Sequence, residues 1–247
     1  METNELYDVW VENVFGFLKE TGPKLGNGGR CCSVFQSRIE INPKVAFIGY
    51  NAHEDYGYVE IEKKRFYEGN TSFYADNGKE RMKWRIWSRL YGAFNFVKYT
   101  KPMEDGNFVF FNAVYFGTSN IEAMKKLHNG TDAINTCLNY TGELIQDIIK
   151  PKCIVCFSIP ECFDKLNEKY TFQDIKTIKP SDVINMDLQK EMWGKWGNPP
   201  ISKQIVKKGI WKSIPVYGIP HPSSSVGNDD WGLIALYLRG EMEKLGI

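Results

Sequence analysis

Four short runs of apolar residues recur along the chain, and segments with helical patterns separate them. The runs cover residues 45–50, 108–111, 153–157 and 214–217. Apart from Pro215 they are continuous rather than alternating, which is typical of parallel strands buried on both faces. Because proline has no backbone N–H, Pro215 predicts that the fourth strand either lies at an edge of the sheet or begins near this residue.

Apolar residues at helical spacing precede, separate and follow these runs. The four sets are Leu6, Val9, Trp10, Val14 and Phe17; Ile86, Trp87, Leu90 and Phe94; Ala133, Cys137, Tyr140, Leu144 and Ile148; and Trp231, Ile234, Leu238 and Met242. Each set predicts an amphipathic helix. Strands that alternate with helices predict an α/β fold, in which helices cover both faces of a parallel sheet.

Length and composition narrow the class of protein only slightly. A chain of 247 residues suits one domain over residues 1–247, and we interpret residues 163–213 as an insertion packed on it. The net charge of +1 neither favours nor excludes a local basic groove. No apolar run reaches the ~18 residues of a transmembrane helix. Six cysteines are too few for a disulfide scaffold, so we expect a cytoplasmic protein with free thiols.

Polar residues follow every predicted strand, at the end where α/β sheets usually bind their ligands. They are Asn51, His53, Glu54 and Asp55 after the first run, Asn112 after the second, Ser158 after the third, and His221 with Ser223, Ser224 and Ser225 after the fourth. Because parallel strands share a direction, these residues are expected to converge at one edge of the sheet. The pattern therefore predicts a ligand site there.

Three of these residues stand out, each with a simpler alternative. His221 lies between two prolines that stiffen the backbone, which suits an imidazole held against a ligand. The alternative is a loop histidine that caps a turn. Asn51 and Asn112 each end an apolar strand, where a side-chain amide can donate to and accept from one ligand. The alternative is that each asparagine only begins a turn.

Four segments resemble, in order, the motifs of the uracil-DNA glycosylase superfamily. They are VAFIGYN at 45–51, FFNAV at 110–114, KPKCIV at 150–155, and IPHPSS at 219–224 followed by Trp231. The first is similar to a strand that ends in Gly-x-Asn or Gly-x-Asp. Asn51 in this motif gives the greatest similarity to the single-strand-selective monofunctional branch.

The resemblance implies a three-layer αβα sandwich with a central four-stranded parallel sheet. It also implies hydrolysis of the N-glycosidic bond of uracil, or of a related damaged base, in single- or double-stranded DNA. The target base would have to leave the base stack to be reached. Such an enzyme would act in base excision repair as a monomer, with no metal or cofactor.

The resemblance also implies a role for each residue that matches a motif. Asn51 would position the attacking water, because an amide orients a nucleophile but is too weak a base to deprotonate it. His221 would hydrogen-bond the base oxygen as negative charge develops on the departing base. Asn112 would read the pyrimidine edge, with Gly49 and Tyr50 beside it.

Further residues are expected to stack on the base and to contact the DNA backbone. Phe73 is the candidate for stacking, with Phe66 and Tyr67 as alternatives. The residues expected to contact DNA are Ser223, Ser224 and Ser225, which would bind phosphate, and Val226, which would fill the vacated position in the stack. Basic and aromatic residues also interleave over residues 79–91, which predicts either a nucleic-acid groove or a solvated helix face.

The chain departs from the family pattern at three positions. Ala52 stands where the family has proline, His53 where it has glycine or tyrosine, and Ser224 where it has proline. These departures affect the expected substrate more than the expected fold. The segment from His53 to Asp55 would add a second acid–base group, or would cap a following helix.

Other functions and other sites are weaker interpretations of the same sequence. A binding protein on the same fold would keep the base pocket and recognise a nucleobase, a nucleotide or modified DNA without efficient chemistry. A different hydrolase would need a nucleophile, and the chain has no Gly-x-Ser-x-Gly elbow. Cys31 and Cys32 are adjacent, and Cys153 and Cys156 lie inside an apolar strand, so we expect neither an iron–sulfur cluster nor zinc.

Overall fold

A six-stranded mixed sheet forms the centre of the molecule. The computed structural model describes residues 3–52, 57–183, 204–224 and 227–247. The strands are β1 (Val45–Asn51), β2 (Phe108–Val114), β3 (Cys153–Phe157), β4 (Gln173–Ile178), β5 (Val206–Trp211) and β6 (Ile214–Ile219). Their order across the sheet is β2-β1-β3-β6-β5-β4. The predicted α/β class is therefore confirmed.

The sheet consists of two parts that differ in strand direction. Strands β2, β1, β3 and β6 are parallel to one another and form the parallel half. Strand β5 runs antiparallel to β6, and β4 runs antiparallel to β5, so these two strands form the antiparallel flank. The four runs predicted as strands are the four strands of the parallel half.

The expected total of four strands is wrong, because the segment interpreted as an insertion supplies both strands of the antiparallel flank. Neither strand has a continuous apolar run. Five of the six residues of β4 are exposed, and lysines at 207 and 208 interrupt β5. Strands near a sheet edge need not bury both faces, so they lack the signal that marked the others.

Pro215 is the second residue of β6, which lies inside the sheet between β3 and β5. The prediction of an edge strand is therefore wrong, and the alternative of a strand that begins near the proline is confirmed. Pairing of β6 with β3 begins at Val216, opposite Ile154. The missing N–H of Pro215 thus precedes the parallel ladder and costs it no hydrogen bond.

All four predicted helices are present. The helices are α1 (Thr3–Thr21), α2 (Arg65–Glu68), α3 (Thr71–Tyr74), α4 (Lys79–Lys83), α5 (Arg85–Phe96), α6 (Ile121–Lys125), α7 (Gly130–Glu143), α8 (Asp164–Tyr170), α9 (Pro180–Val183) and α10 (Asn228–Lys244). A π-helical turn, Leu144–Ile149, continues α7, and a second one, Ile159–Phe163, follows β3. Within the described ranges, no helix combines the length and the apolar character needed to cross a membrane.

Helices pack on both faces of the parallel half. Along β1, Ala46 and Ile48 enter the core layer formed with α1 and α7, whereas Val45 and Phe47 enter the layer formed with α5 and α10. Successive side chains of a strand point to opposite faces, so covering both faces requires apolar residues at every position. This explains why the four runs are continuous. It also leaves the carboxyl ends of the strands as the place for polar residues.

Candidate functional site

One row of residues crosses all four strands of the parallel half near their carboxyl ends. Asn112 of β2 pairs with Gly49 of β1, and Phe157 of β3 pairs with Ile219 of β6. The last pair between β1 and β3 joins Ile48 to Cys156, one residue before Gly49 and Phe157. Gly49 and Phe157 therefore also lie at the same level. The row therefore runs Asn112, Gly49, Phe157, Ile219.

Asn51 and His221 each lie two residues beyond this row. They follow Gly49 and Ile219, on strands that only β3 separates. Two strand spacings put the backbones of Gly49 and Ile219 about 10 Å apart. Asn51 follows Gly49 by two residues in the same strand, and side chains two residues apart point to the same face of a sheet. The Asn51 side chain therefore lies on the face that carries Asn112. Asn51 thus lies on one of the two strands that flank β3, and His221 follows the other.

The amide of Asn112 is buried and held in one orientation. Its side chain is 4% exposed, and its Nδ2 donates to the backbone oxygen of Ser33 at 3.1 Å. A carbonyl oxygen can only accept, so the nitrogen must face Ser33. Oδ1 then lies over Gly49, where a Cβ would come within 2.9 Å of it. Glycine at position 49 therefore leaves the space that the Asn112 oxygen occupies.

Asn112 keeps hydrogen-bonding capacity for a ligand. None of the described residues donates to its Oδ1, and Nδ2 has a second N–H besides the one given to Ser33. The backbone N–H of Asn112 donates to Val34 at 2.9 Å, which fixes the strand beside the segment that carries Ser33. The residue can thus accept one hydrogen bond and donate another at the edge of the sheet.

Asn51 is oriented by the loop that follows β2. Its Nδ2 lies 3.1 Å from Thr118 Oγ1 and 3.3 Å from the Thr118 backbone oxygen, and 3.2 Å from the oxygen of Ala52. Backbone oxygens can only accept, so the amide nitrogen faces the oxygens of Ala52 and Thr118, and Oδ1 points away from them. In the described part of the chain no group donates to Oδ1. Asn51 therefore presents an acceptor, suited to hold a water molecule by its O–H.

The proton on the neutral His221 imidazole is on Nε2. The backbone N–H of Ser223 donates to Nδ1 at 3.2 Å, and the Ser223 hydroxyl lies 2.6 Å from the same atom. An N–H can only donate, so Nδ1 must be the unprotonated nitrogen. Nε2–H is then a hydrogen-bond donor. The His221 oxygen accepts from the Ser224 N–H at 2.8 Å, which closes a tight turn after the histidine.

Ser158 directly follows β3, in a backbone conformation that residues other than glycine rarely adopt. Its φ is +83°. Its N–H donates to the oxygen of Ile219 at 2.9 Å, and its Oγ accepts from the N–H of Glu161 at 3.2 Å. Strained backbone of this kind is common at functional sites and is held in place by its surroundings. The sequence identified Ser158 only as one of the polar residues that follow the strands.

The aromatic residues expected to stack on a base are not members of the row. Phe73 is fully buried, with its ring 4.9 Å from that of Trp87 in the α5 and α10 layer. Phe66 is buried against α1, and Tyr67 donates to Asp8 at the surface of that helix. The aromatic residue in the row is Phe157, which sequence analysis did not single out. Its position as the last residue of the third apolar run was the available signal.

The Tyr50 side chain lies on the opposite face from Asn112. It belongs to the core layer of α1 and α7, where burial raises the pKa of its hydroxyl well above the usual range. Its backbone alone therefore borders the site. The predicted residues His53, Glu54, Asp55, Ser225 and Val226 lie outside the described residues. Ser223 and Ser224 are described, and the Ser224 hydroxyl is buried without a hydrogen-bond partner in the described part of the chain.

The cysteines show no arrangement for metal binding. Within the described residues, no group of three or more His, Cys, Asp or Glu side chains could hold a metal ion. All six cysteines are free. Burial raises the pKa of the Cys32 and Cys153 thiols to about 12, so both stay protonated at neutral pH. A protonated, buried thiol is neither a good ligand nor a good nucleophile.

Comparison with known proteins gives no family assignment. No protein-family model matches the chain, and no curated protein matches it. The function proposed below therefore depends on the four motifs and on the geometry of the row.

Proposed function

We propose that the protein is a DNA glycosylase that hydrolyses the N-glycosidic bond of uracil or a closely related base. The observation that carries the proposal is the arrangement around the end of β3. Asn112, an amide that can accept and donate, lies in the row. Asn51, an amide with an available acceptor oxygen, lies beyond the row on β1, and His221, with an Nε2–H donor, follows β6. These are the groups that the sequence motifs assign to base reading, water positioning and leaving-group stabilisation.

Asn112 suits the edge of uracil. That edge offers an N3–H donor next to an O4 acceptor, and the Asn112 amide offers an acceptor and a spare donor. Cytosine presents an acceptor and a donor in the opposite order, which would leave the buried Asn112 amide facing like groups. A buried polar group without a partner costs about 1–3 kcal/mol, which supports discrimination between the two bases.

His221 suits the stabilisation of the departing base. Cleavage of the glycosidic bond leaves the bonding electrons on the base, and the negative charge spreads to its O2 and O4 oxygens. An Nε2–H donor held in advance would strengthen its hydrogen bond to O2 as this charge grows. Ser223 keeps that proton on Nε2, because its N–H occupies Nδ1. The contact therefore favours the transition state over the bound substrate.

Asn51 suits the attack of water on the sugar. Its Oδ1 can accept from a water molecule and direct the oxygen lone pair towards the anomeric carbon as positive charge develops there. The proton of the water leaves only after the new C–O bond has begun to form, and it passes through solvent to the departing base anion, so no strong base is required. Thr118 fixes the amide through two contacts, and this rigidity favours one water position.

DNA is the expected partner, and its target base would have to be extruded to reach the row. Ser223 is exposed two residues after His221, where a hydroxyl can donate to a phosphate oxygen, whereas the Ser224 hydroxyl is buried and has no hydrogen-bond partner among the described residues. A narrow set of such contacts agrees with the near-neutral net charge of +1. The proposed enzyme acts as a monomer without metal or cofactor.

The test is an abasic-site assay with the purified protein. Labelled oligonucleotides carry uracil, 5-hydroxymethyluracil or hypoxanthine, in single- and double-stranded form. We expect cleavage of at least one pyrimidine substrate, with a loss of about 100-fold or more in His221→Ala and in Asn51→Ala. The exposed His128 supplies the matched control, and His128→Ala should keep the wild-type rate. Cleavage that persists in His221→Ala would contradict the proposal.

A second candidate is a protein that binds a pyrimidine base without cleaving it. Asn51 favours this candidate, because its amide cannot take a proton from water. Equilibrium binding of the same oligonucleotides separates the two functions. Tight binding that Asn112→Ala abolishes, without cleavage of any substrate, would establish the binding protein instead.

A further inference from the structure

Arg89 connects helix α5 to the loop that carries His221. Its Nη1 donates to the backbone oxygen of Pro222 at 3.2 Å and also to the backbone oxygen of Ser224. One guanidinium nitrogen therefore holds two carbonyl groups of the same short segment. These contacts cross 133 and 135 positions of sequence, so they fix the loop to a distant part of the fold.

The two carbonyl groups belong to the turn that orients His221. The Ser224 N–H donates to the His221 oxygen at 2.8 Å, which makes residues 221–224 one closed turn. Within it, Ser223 donates its N–H to Nδ1 of His221 at 3.2 Å. Ser223 can reach Nδ1 only while the turn keeps this shape. Arg89 binds the residues on both sides of Ser223 and so stabilises the conformation that determines the imidazole tautomer.

The part of helix α5 that carries Arg89 is packed firmly in the core. Trp87 and Leu90, which neighbour Arg89 in the helix, are buried in the α5 and α10 core layer. The guanidinium group is planar and presents several N–H donors in a fixed arrangement, whereas a lysine ammonium is a compact charge on a flexible stem. A positive charge alone would attract the carbonyl groups, but only the rigid group would hold both at fixed positions.

We propose that Arg89 is a positioning residue for His221. It would act through the turn, by holding the Pro222 and Ser224 carbonyls so that Ser223 occupies Nδ1 and the proton stays on Nε2. The consequence for base excision rests on the proposed function, whereas the effect on the imidazole does not. The basic and aromatic segment 79–91 would therefore contribute to the site through Arg89, which holds the loop that carries His221.

Imidazole NMR tests the structural part without reference to activity. The chain has three histidines, and loss of signals in His221→Gln assigns the ring of interest. At a pH where the ring carries one proton, we expect wild-type His221 to show the Nε2–H tautomer with a hydrogen-bonded Nδ1. In Arg89→Met and in Arg89→Lys, its nitrogen shifts should move towards those of exposed His128. Arg85→Met is the matched control, one turn earlier on the exposed side of α5, and should leave the His221 signals unchanged.

Single-turnover excision tests the functional part. We expect Arg89→Met and Arg89→Lys to lower the cleavage rate about tenfold or more while the Kd for the oligonucleotide stays nearly constant. Thermal unfolding of each variant identifies any that fail to fold. If Arg89→Met does not fold, Arg89→Lys, which preserves the charge, still tests the proposal. Unchanged His221 signals in a folded Arg89 variant, or a fully active Arg89→Lys, would overturn the proposal. A wild-type protein without activity would refute the glycosylase while the NMR comparison still decides the role of Arg89.

Discussion

The parallel half and the antiparallel flank share one sheet but are stabilised in different ways. In the parallel half, apolar side chains fill both faces, and polar residues collect only where the strands end. In the antiparallel flank, charged residues lie along the strands, and Lys207 of β5 pairs with Asp164 at 2.5 Å. The difference shows why the site lies where it does. A sheet that is covered on both faces can expose polar groups only at its edges and ends.

The antiparallel flank also protects the sheet. Strand β4 is the outermost strand on that side, and an edge strand offers unpaired backbone groups to other chains. Its register is irregular between Gln173 and Lys176, and Asp174 has a φ of +51°. An irregular, charged edge disfavours pairing with another chain. The flank therefore covers one edge of the parallel half, because β5 pairs with β6 from Ile214 to Gly218.

The largest expected contrast is in stability. Phe47→Ala in β1 removes a fully buried ring that stacks on Phe157 at 5.9 Å, and should lower the free energy of unfolding by about 3–5 kcal/mol. Ile175→Ala in β4 removes a side chain that is 42% exposed, and should change the free energy of unfolding by less than about 0.5 kcal/mol. Urea denaturation measures both. Equal losses would contradict the division of the sheet into two kinds of structure.

Two glycine substitutions separate the site from the packing around it. In Gly49→Ala the new Cβ would lie 2.9 Å from Asn112 Oδ1, so excision should fall about 10- to 100-fold. In Gly218→Ala it would lie 2.6 Å from the Phe163 Cβ, so stability should fall by about 1–3 kcal/mol. Single-turnover kinetics and thermal unfolding are measured for both variants. A Gly49→Ala enzyme with wild-type kinetics would show that Asn112 does not need its position over Gly49.

Glu241 of α10, which pairs with Lys208 of β5, should make the stability of the antiparallel flank depend on pH. Burial alone would raise the pKa of this carboxyl, but hydrogen bonds from Lys208 and Lys244 outweigh it and hold the pKa below the usual value. A lowered folded-state pKa means that the stabilisation is present above about pH 4.3 and is lost as the pH falls through the folded-state pKa. Glu241→Gln should therefore cost about 1–3 kcal/mol at pH 7, and the difference from wild type should shrink in acid.

Glu243 is the matched control for that measurement, because its pairing with Arg239 is exposed to solvent. Glu243→Gln should change stability by less than about 1 kcal/mol at any pH. Urea denaturation from pH 3 to pH 7 compares the two variants. A pH-independent cost of Glu241→Gln would indicate that the carboxylate stabilises the flank by packing alone.

The smallest expected effect is at Ser158. Ser158→Ala removes the hydroxyl that accepts from Glu161 and keeps a side chain at positive φ, so it should cost about 1 kcal/mol. Ser158→Gly loses the same hydrogen bond but relieves the backbone, so its cost should be smaller. Thermal unfolding ranks the two variants. A glycine variant that is less stable than the alanine variant would show that the positive φ stores no strain.

The parallel half could be predicted from sequence because burial on both faces produces continuous apolar runs. The flank could not, because lysines at 176, 207 and 208 break the apolar pattern where a strand has one solvated face. Asn51, Asn112 and His221 were visible as polar residues at strand ends. Their partners were not, because Thr118, Ser33 and Arg89 reach the site through contacts that span 67 to 135 positions. Phe73, the residue expected to stack on a base, could not be located in the fold for the same reason, since only its packing distinguishes it from a surface residue.

The most direct test of the account is the single-turnover cleavage of a uracil-containing oligonucleotide by three proteins. These are the wild type, Asn112→Ala in the parallel half, and Lys207→Ala in the antiparallel flank. We predict cleavage by the wild type, a loss of about 100-fold or more in Asn112→Ala, and a rate within about twofold of wild type in Lys207→Ala. Equal rates for wild type and Asn112→Ala, or no cleavage by the folded wild type, would contradict a uracil-reading site at the carboxyl end of the parallel half.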